Sequence, residues 1–352
     1  MTTPRMPGAT RALTIVTPPQ PVLRLRFRDG ILVDQYGFPD WVPYARVLVD
    51  LPAPPAGLTV DEVRVLDVLV ANEAMSRVGS DPLWGPPAGG TAAVATPAGW
   101  CWAHLGPVRR LALVPVELHG AHRHGGGVRV LARKNPARGL RASPPWPPLP
   151  AAPGDEVPEE IIDHLEQLLG RPLPGAYRQY LAATNGAAPA HPAVLPGLGL
   201  VADQPLFGVA RTDQAQDLAY ARHWFADRFT PDLLPVGHVQ GGVLAVRLAG
   251  PDAGSVWWYD DDDPREDERH DAAYVSTRLL YPCGRDFAEF WAALSPPPAR
   301  LLGTAREQAA AGLVRPVTDE VAGAALPEPA RGPAQPAATT RTRSDPVTDM
   351  FR

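Results

Sequence analysis

The stretch Gly99-Trp100-Cys101-Trp102-Ala103-His104-Leu105-Gly106-Pro107-Val108-Arg109-Arg110-Leu111-Ala112-Leu113-Val114-Pro115-Val116-Glu117-Leu118-His119-Gly120-Ala121-His122-Arg123-His124 carries the densest chemistry in the chain. Two short apolar runs on either side of Gly106-Pro107 predict a hairpin. Pro115 suits the entry to a helix, so Val116 to His124 predicts one or two helical turns, closed by Gly125-Gly126-Gly127. The local order is strand, strand, helix. His104 falls at the end of the first strand, with His119, His122 and His124 on the helix, so four of the nine histidines lie here. Imidazole takes a proton near neutrality and ligates metal through its neutral nitrogen. In such a frame the strand histidine can deprotonate water while strand and helix side chains hold a divalent ion against a phosphate. A cluster of solvent-facing histidines has the same spacing.

Upstream, Leu23-Arg24-Leu25-Arg26-Phe27 alternates with period two and predicts a strand stopped by Asp29-Gly30. Thr59 before Asp61-Glu62, followed by Val63, Leu66, Leu69 and Val70 at three- and four-residue spacing, predicts a capped amphipathic helix ending near Gly79. Downstream, Ser143-Pro-Pro-Trp-Pro-Pro-Leu-Pro-Ala-Ala-Pro-Gly154 admits neither helix nor central strand and predicts a stiff linker. Beyond it, Pro158-Glu159-Glu160 opens a helix with a stripe of Ile161, Ile162, Leu165, Leu168 and Leu169, ended by Gly170. A second helix is expected over 175–183, antiparallel strands over 243–248 and 255–259, and a last helix with Phe287, Phe290, Trp291 and Leu294 on one face. Helices flanking an antiparallel sheet predict an α+β second domain. The resulting division is a first domain over 20–142, a linker over 143–154, a second domain over 155–297 and a flexible tail over 298–352 with one short helix near 299–313.

The length of 352 residues fits two domains plus connecting segments. With 44 prolines and 32 glycines, part of the chain must lie outside regular elements. Cys101 and Cys283 are assigned to different domains, which argues against a disulfide framework or cysteine metal cluster. The sequence has no run of about 20 apolar residues, so a cytoplasmic protein without membrane contact is expected. The single Lys134 against 32 arginines reads as coding bias. Charge is divided unevenly: residues 1–154 hold 16 basic and 10 acidic side chains, net +6, whereas 155–297 hold 10 and 22, net −12. One half suits polyanions and the other a cationic surface.

Several stretches of the first domain, in order, resemble the WHH/LHH-type toxin nucleases of the HNH/endonuclease VII superfamily. They are Asp34 to Ala45, Leu66-Asp67, Ala71-Asn72, Gly99 to His104, Leu113-Val114-Pro115 with Leu118-His119, and His124-Gly125-Gly126. The resemblance implies a ββα-metal fold in which a tryptophan is followed by consecutive histidines, the first a metal ligand and the second the general base. Here Trp102 is followed by Ala103 and His104. His104 would then be the retained base, and His119 and His124 the retained helix ligands. A methyl group cannot coordinate a cation, and losing one of about three protein ligands costs much of a site's affinity. A crippled nuclease is expected, needing Mg, Mn or Zn only if active, and no cofactor otherwise. His122, a turn from His119, is a conceivable substitute ligand. Arg109, Arg110, Arg123, Arg129, Arg133 and Lys134 are candidates for weak nucleic-acid contact without cutting.

The second domain resembles the SMI1/KNR4 or SUKH superfamily. The similarity lies in Ile161 to Leu181 with Thr184-Asn185-Gly186, Leu234-Pro235-Val236-Gly237, Gly241-Gly242, Val256 to Asp260 and Asp286 to Phe290. Bacterial members are chiefly immunity proteins that bind polymorphic toxins, many of them nucleases. The resemblance therefore implies binding rather than catalysis, with a nuclease toxin domain as partner and this chain's own first domain as a second possibility. The run Asp260-Asp261-Asp262-Asp263 after Trp257-Trp258 is the candidate binding surface. It has four readings: a toxin-facing surface, a contact with the basic domain of the same chain, a calcium site or a solvated loop. Trp257 and Trp258 should face opposite sides, one core and one anchor. The expected function is an immunity-type protein that neutralises a nuclease toxin, fused to an inactive nuclease-like domain. The alternatives are an active metal-dependent nuclease restrained by its fused domain, and a regulatory scaffold.

Overall fold

The computed structural model describes residues 14–16, 31–33 and 38–317, apart from 80, 85–91, 107, 122, 125, 134–136, 142–145, 212 and 268. The strand expected over 23–27, His122, Lys134 and residues 318–352 lie outside that set. The first domain begins with β1 (Thr14–Val16) paired to β2 (Ile31–Val33). It continues with β3 (Val47–Asp50), α1 (Val60–Val78), β4 (Trp100–Leu105), β5 (Arg110–Pro115), α2 (Val116–Ala121) and α3 (Arg129–Arg133). The expected strand–strand–helix order is present. The helix stops at Ala121, so His124 sits in the connection to α3 rather than on α2.

α1 starts where the sequence says it should. Thr59 Oγ1 accepts from Glu62 N at 3.1 Å and the Glu62 carboxylate accepts from Thr59 N at 2.9 Å, a reciprocal cap. Gly79 ends it at φ 62°, a left-handed conformation that glycine adopts without a Cβ clash. The expectation of one apolar stripe and one wet face does not hold, because every residue from Val60 to Ser76 is buried. Three bodies surround the helix. Leu66 and Leu69 pack with Val47, Val49, Leu111 and Leu113 of the sheet. Arg64 reaches into the second domain, and a helix from the end of the chain covers a third side.

The second domain comprises α4 (Glu159–Leu169), α5 (Gly175–Thr184), the short pair β6 (Ala193–Val194) and β7 (Val201–Ala202), α6 (Leu218–Trp224), β8 (Leu233–Val239), β9 (Gly242–Arg247), β10 (Val256–Asp260), α7 (Ala272–Arg278), β11 (Leu280–Gly284) and α8 (Phe287–Ala293). Four of its strands form an antiparallel sheet in the order β11-β10-β9-β8, and β6 pairs with β7. The mixed α+β architecture with helices flanking an antiparallel sheet is as expected. The described part of the linker, from Trp146, forms no helix and lies along this domain: Trp291 Nε1 donates to Leu149 O at 2.9 Å and Ala190 N to Pro150 O at 2.9 Å.

The segment after Pro298, expected as a flexible tail, returns to the first domain. α9 (Ala299–Ala310) lies on α1, and β12 (Arg315–Val317) adds to the first sheet, giving the antiparallel order β12-β3-β5-β4. Leu301, Leu302, Ala305 and Val314 join the core that contains α1 and the sheet. The short helix expected near 299–313 is α9, and its few buried residues dock because the surface that receives them is already apolar. Val194 and Val201 of the second domain also enter this core.

Candidate functional site: a histidine cluster under an acidic loop

Alternation along β4 sends Trp102 and His104 toward α1 and Ala103 the other way. Trp102 is fixed by a hydrogen bond from Nε1 to Asn72 Oδ1 at 2.7 Å and stacks on Trp84 at 6.1 Å. His104 Nε2 lies 3.1 Å from Asp67 Oδ2 on α1, and both Asp67 oxygens accept from Arg109, each at 2.6 Å. With the imidazole proton on Nε2 toward Asp67, Nδ1 keeps its lone pair, the state a general base requires. Asp67 entered the sequence reading only as part of a resemblance. It is one helical turn from Arg64, so the two side chains stand on one side of α1.

His119 and His124 come together although only one is on the helix. Their rings pack edge to face at 4.7 Å, and each lies 5.1 Å from the Trp41 indole. Trp41 shares an apolar cluster with Ala103, Val116 and Leu118. The methyl of Ala103 therefore faces hydrocarbon at the position where the motif implies a ligand. Burial and the neighbouring cations and imidazoles hold the His119 pKa well below the usual histidine range, so its ring is neutral at physiological pH.

The acidic run of the second domain lies directly on this cluster. Asp260, Asp261, Asp262 and Asp263 are all buried, which removes the solvated-loop reading. Arg64 Nη2 is 2.9 Å from Asp260 Oδ1 and 3.1 Å from Asp262 Oδ2, donates to Gly241 O at 3.3 Å, and its guanidinium lies 5.2 Å over the Trp258 ring. Arg138 bonds the other oxygen of Asp260. Asp261 Oδ2 is 3.6 Å from His119 Nδ1. Burial, with Asp262 and Asp260 alongside, pushes the Asp261 carboxyl up to about 8. At neutral pH this is a contact of two uncharged groups, not an ion pair. Gly126 N donates to Asp261 O at 3.3 Å, and a Cβ on Gly126 would fall 1.6 Å from Asp262 Oδ1. A cavity of about 20 Å³ remains among Arg64, His104, His119, His124, Gln240, Asp261 and Asp262. That volume suits about one water. The His104 side chain keeps 13% of its surface exposed, and the acidic loop leaves little further room beside it.

Other contacts extend this closure. Arg123, expected to face nucleic acid, is buried and binds Glu266 and the carbonyls of Asp227, Asp267 and His270. Arg129 donates to Pro264 O and Glu266 O. Arg109 and Arg110 are engaged by Asp67 and Asp50. β4 is an edge strand, and its free Trp102 N–H donates to Gln240 Oε1 at 3.0 Å, so second-domain side chains cover the edge. Trp257 and Trp258 do face opposite ways. Trp258 is core and forms a wall for Arg64, while Trp257 is half-buried on the far face under Arg247.

The motif implies a divalent ion, and the donors present do not fit one. The His119 and His124 rings pack edge to face on each other beside the Trp41 indole, and a methyl group stands in place of the third ligand. Among the described residues no group of three His, Cys, Asp or Glu side chains is placed to hold a metal. The residues that sequence reasoning passed over are Arg64, Arg138 and Gln240; Trp41, like Asp67, entered it only as part of a resemblance. The helical spacing of Asp61, Glu62, Arg64 and Asp67 does not mark them as covered; their burial comes from what packs on the helix.

Comparison with known families matches two stretches of the chain. Residues 92–133 match a nuclease family of the HNH/ENDO VII superfamily with conserved WHH. Residues 156–292 match the SMI1/KNR4 family (SUKH-1). No curated protein matches the chain. The chain thus joins a WHH nuclease-like region to a SUKH-1 immunity-type domain, an arrangement that fits polymorphic toxin and immunity systems. No described helix is long and apolar enough to cross a membrane.

Proposed function

We propose that this chain is a self-capped toxin–immunity pair: its acidic SUKH domain neutralises the nuclease-type centre of its own first domain, and that centre is itself disabled by Ala103. The observation that carries this reading is the burial of Asp260 to Asp263 against Arg64 and His119, which leaves about 20 Å³ beside His104. Carboxylates on an arginine that borders a nuclease-type histidine stand where an anionic substrate would be drawn. Capping excludes substrate by volume and by charge. The lost ligand removes the ion that would polarise the phosphate. Two independent blocks on one centre suit a protein that works as a binder in the cytoplasm.

Neutralisation of a separate nuclease toxin uses the same carboxylates, and in the closed chain Arg64 and Arg138 already hold them. A partner in trans must therefore displace the first domain. The test is metal-dependent cleavage of plasmid DNA and of RNA, with Mg, Mn or Zn supplied. The full chain should be inactive. Asp260→Asn/Asp262→Asn alone and Ala103→His alone should also be inactive, each leaving one block in place. Their combination should cut and lose activity again with His104→Ala. Cleavage by the unaltered chain at the rate of a working toxin overturns the reading.

A further inference from the structure

The segment that follows the second domain contacts α1 on the side opposite the acidic loop. α9 buries Leu301 and Ala305 completely or nearly so, with Leu302 beside them, in the core of the first domain. Arg300 pairs with Glu62, which is fully buried, and Arg306 Nε lies 3.2 Å from Glu73 Oε1, also buried. β12 pairs with β3 in register Arg315 to Asp50, Pro316 to Val49 and Val317 to Leu48. Glu62 and Glu73 belong to the helix that presents Arg64 to Asp260 and Asp262, and Asp67 to His104. The chain therefore forms a closed circuit: first domain, linker, second domain, and back to the first.

We infer that residues 299–317 are a latch that keeps the acidic domain seated on the histidine cluster, so that release of this segment is the event that exposes the Asp260–Asp263 face to a partner in trans. This rests on the capping reading and adds its regulation. Two features carry it. First, α1 is held on both sides of the second domain in sequence, by Arg141 just ahead of the linker, whose amide donates to Glu62 Oε1 at 3.4 Å, and by α9 after Pro298, so displacement of the second domain requires one attachment to yield. Second, α1 is the shared element. Its amino-terminal cap is formed by Glu62, the same carboxylate that Arg300 holds, and Arg64 lies only two residues further on. Loosening α9 removes a neutralising partner from Glu62 and an apolar wall from α1 at once. The helix that positions Arg64 then loses the packing that fixes it.

The partner that the freed face would accept is defined by what now fills it. It is a guanidinium held between Asp260 and Asp262, capped by Gly241 O and backed by Trp258, and presented from a helix beside a nuclease-type histidine. A second polypeptide with an arginine so placed is the complementary class.

Hydrogen exchange on the full chain separates the possibilities. In the unaltered protein the Gly126 amide, bonded to Asp261 O, should be protected. Leu301→Ala should raise exchange by at least about thirtyfold, the lower end for truncating a buried leucine. The rise should occur along α1 and also at 126–131 and 260–266. Arg300→Gln/Arg306→Gln, which keeps the apolar contacts, should give a smaller rise in the same places. If exchange rises in α1 and β3 while 126–131 and 260–266 stay protected, residues 299–317 are only core and the latch is refuted, with capping intact. If Gly126 is unprotected in the unaltered chain, the capping reading fails first. Should Leu301→Ala unfold the protein, the arginine pair decides: exchange confined to 299–317 refutes the latch.

Discussion

Replacement of Arg64 by methionine tests whether the two domains share a desolvated charge network. Arg64 is 3% exposed and Asp260 is fully buried, so neither can recover its lost partner from water. The methionine keeps an unbranched apolar stem against Trp258, which confines the loss to the charge and its hydrogen bonds. Breaking a buried pair by removing one partner costs about 3–5 kcal/mol, because the carboxylate left behind is uncompensated. Arg138 still holds Asp260, so Asp262 is the group stranded and the lower half of that range, about 3–4 kcal/mol, is expected. The assay is urea unfolding followed by tryptophan fluorescence, urea being uncharged and without effect on screening. Adding Asp262→Asn to Arg64→Met should recover about half of the loss or more, since both charges are then absent and the remaining amide is cheap to bury. A loss under about 1 kcal/mol, the value of an exposed surface pair, would mean that water reaches the network and that the acidic loop is not seated.

Asp261→Asn should change the pH dependence of stability. The folded carboxyl titrates near 8 against about 3.9 when unfolded, so its protonation supports the fold fully below pH about 4 and that support is lost as pH rises to about 8. Asparagine copies the protonated acid; the variant should match the parent near pH 4 and exceed it increasingly up to pH 8, by at most about 1.4 kcal/mol per pH unit. A stability difference that stays flat between pH 5 and pH 8 would show that Asp261 is solvated. Gly126→Ala places a methyl 1.6 Å from Asp262 Oδ1 and should cost about 1–3 kcal/mol by forcing that carboxylate off Arg64, read as a lower urea midpoint. Asp262→Asn/Gly126→Ala should not relieve it, because the amide has the same size.

Local signals in the sequence translated directly into local structure. The Thr59–Glu62 cap, the αL glycines Gly79 and Gly170, the hairpin around Gly106 and the helix opened by Glu159 each depend on residues within one turn of one another. What could not be read was any contact made across long sequence separation. The charged residues of α1 looked like a solvated face because periodicity carries no information about what covers a helix. The short helix near 299–313 was legible but its docking was not, because Leu301, Leu302, Ala305 and Val314 are too few to make a core of their own. They suffice only against a surface supplied by residues some 240 positions earlier.

The uneven charge of the two halves was legible, and its meaning was open. A net +6 beside a net −12 is compatible with one half seeking nucleic acid and the other a foreign toxin. The contacts choose differently. Arg64, Arg123, Arg129 and Arg138 of the basic half all reach carboxylates or carbonyls between Asp227 and His270 of the acidic half. The three that bind carboxylates are matched to Asp260, Asp262 and Glu266, which are among the most buried acids of the chain. A long-range steering field needs exposed charge, since a buried pair projects little beyond its own dipole. Acids consumed in this way cannot also recruit a distant partner, so the closed chain should attract a cationic protein less than its composition suggests. The loss of that attraction on closing, and its return when the latch yields, is the electrostatic form of the same switch.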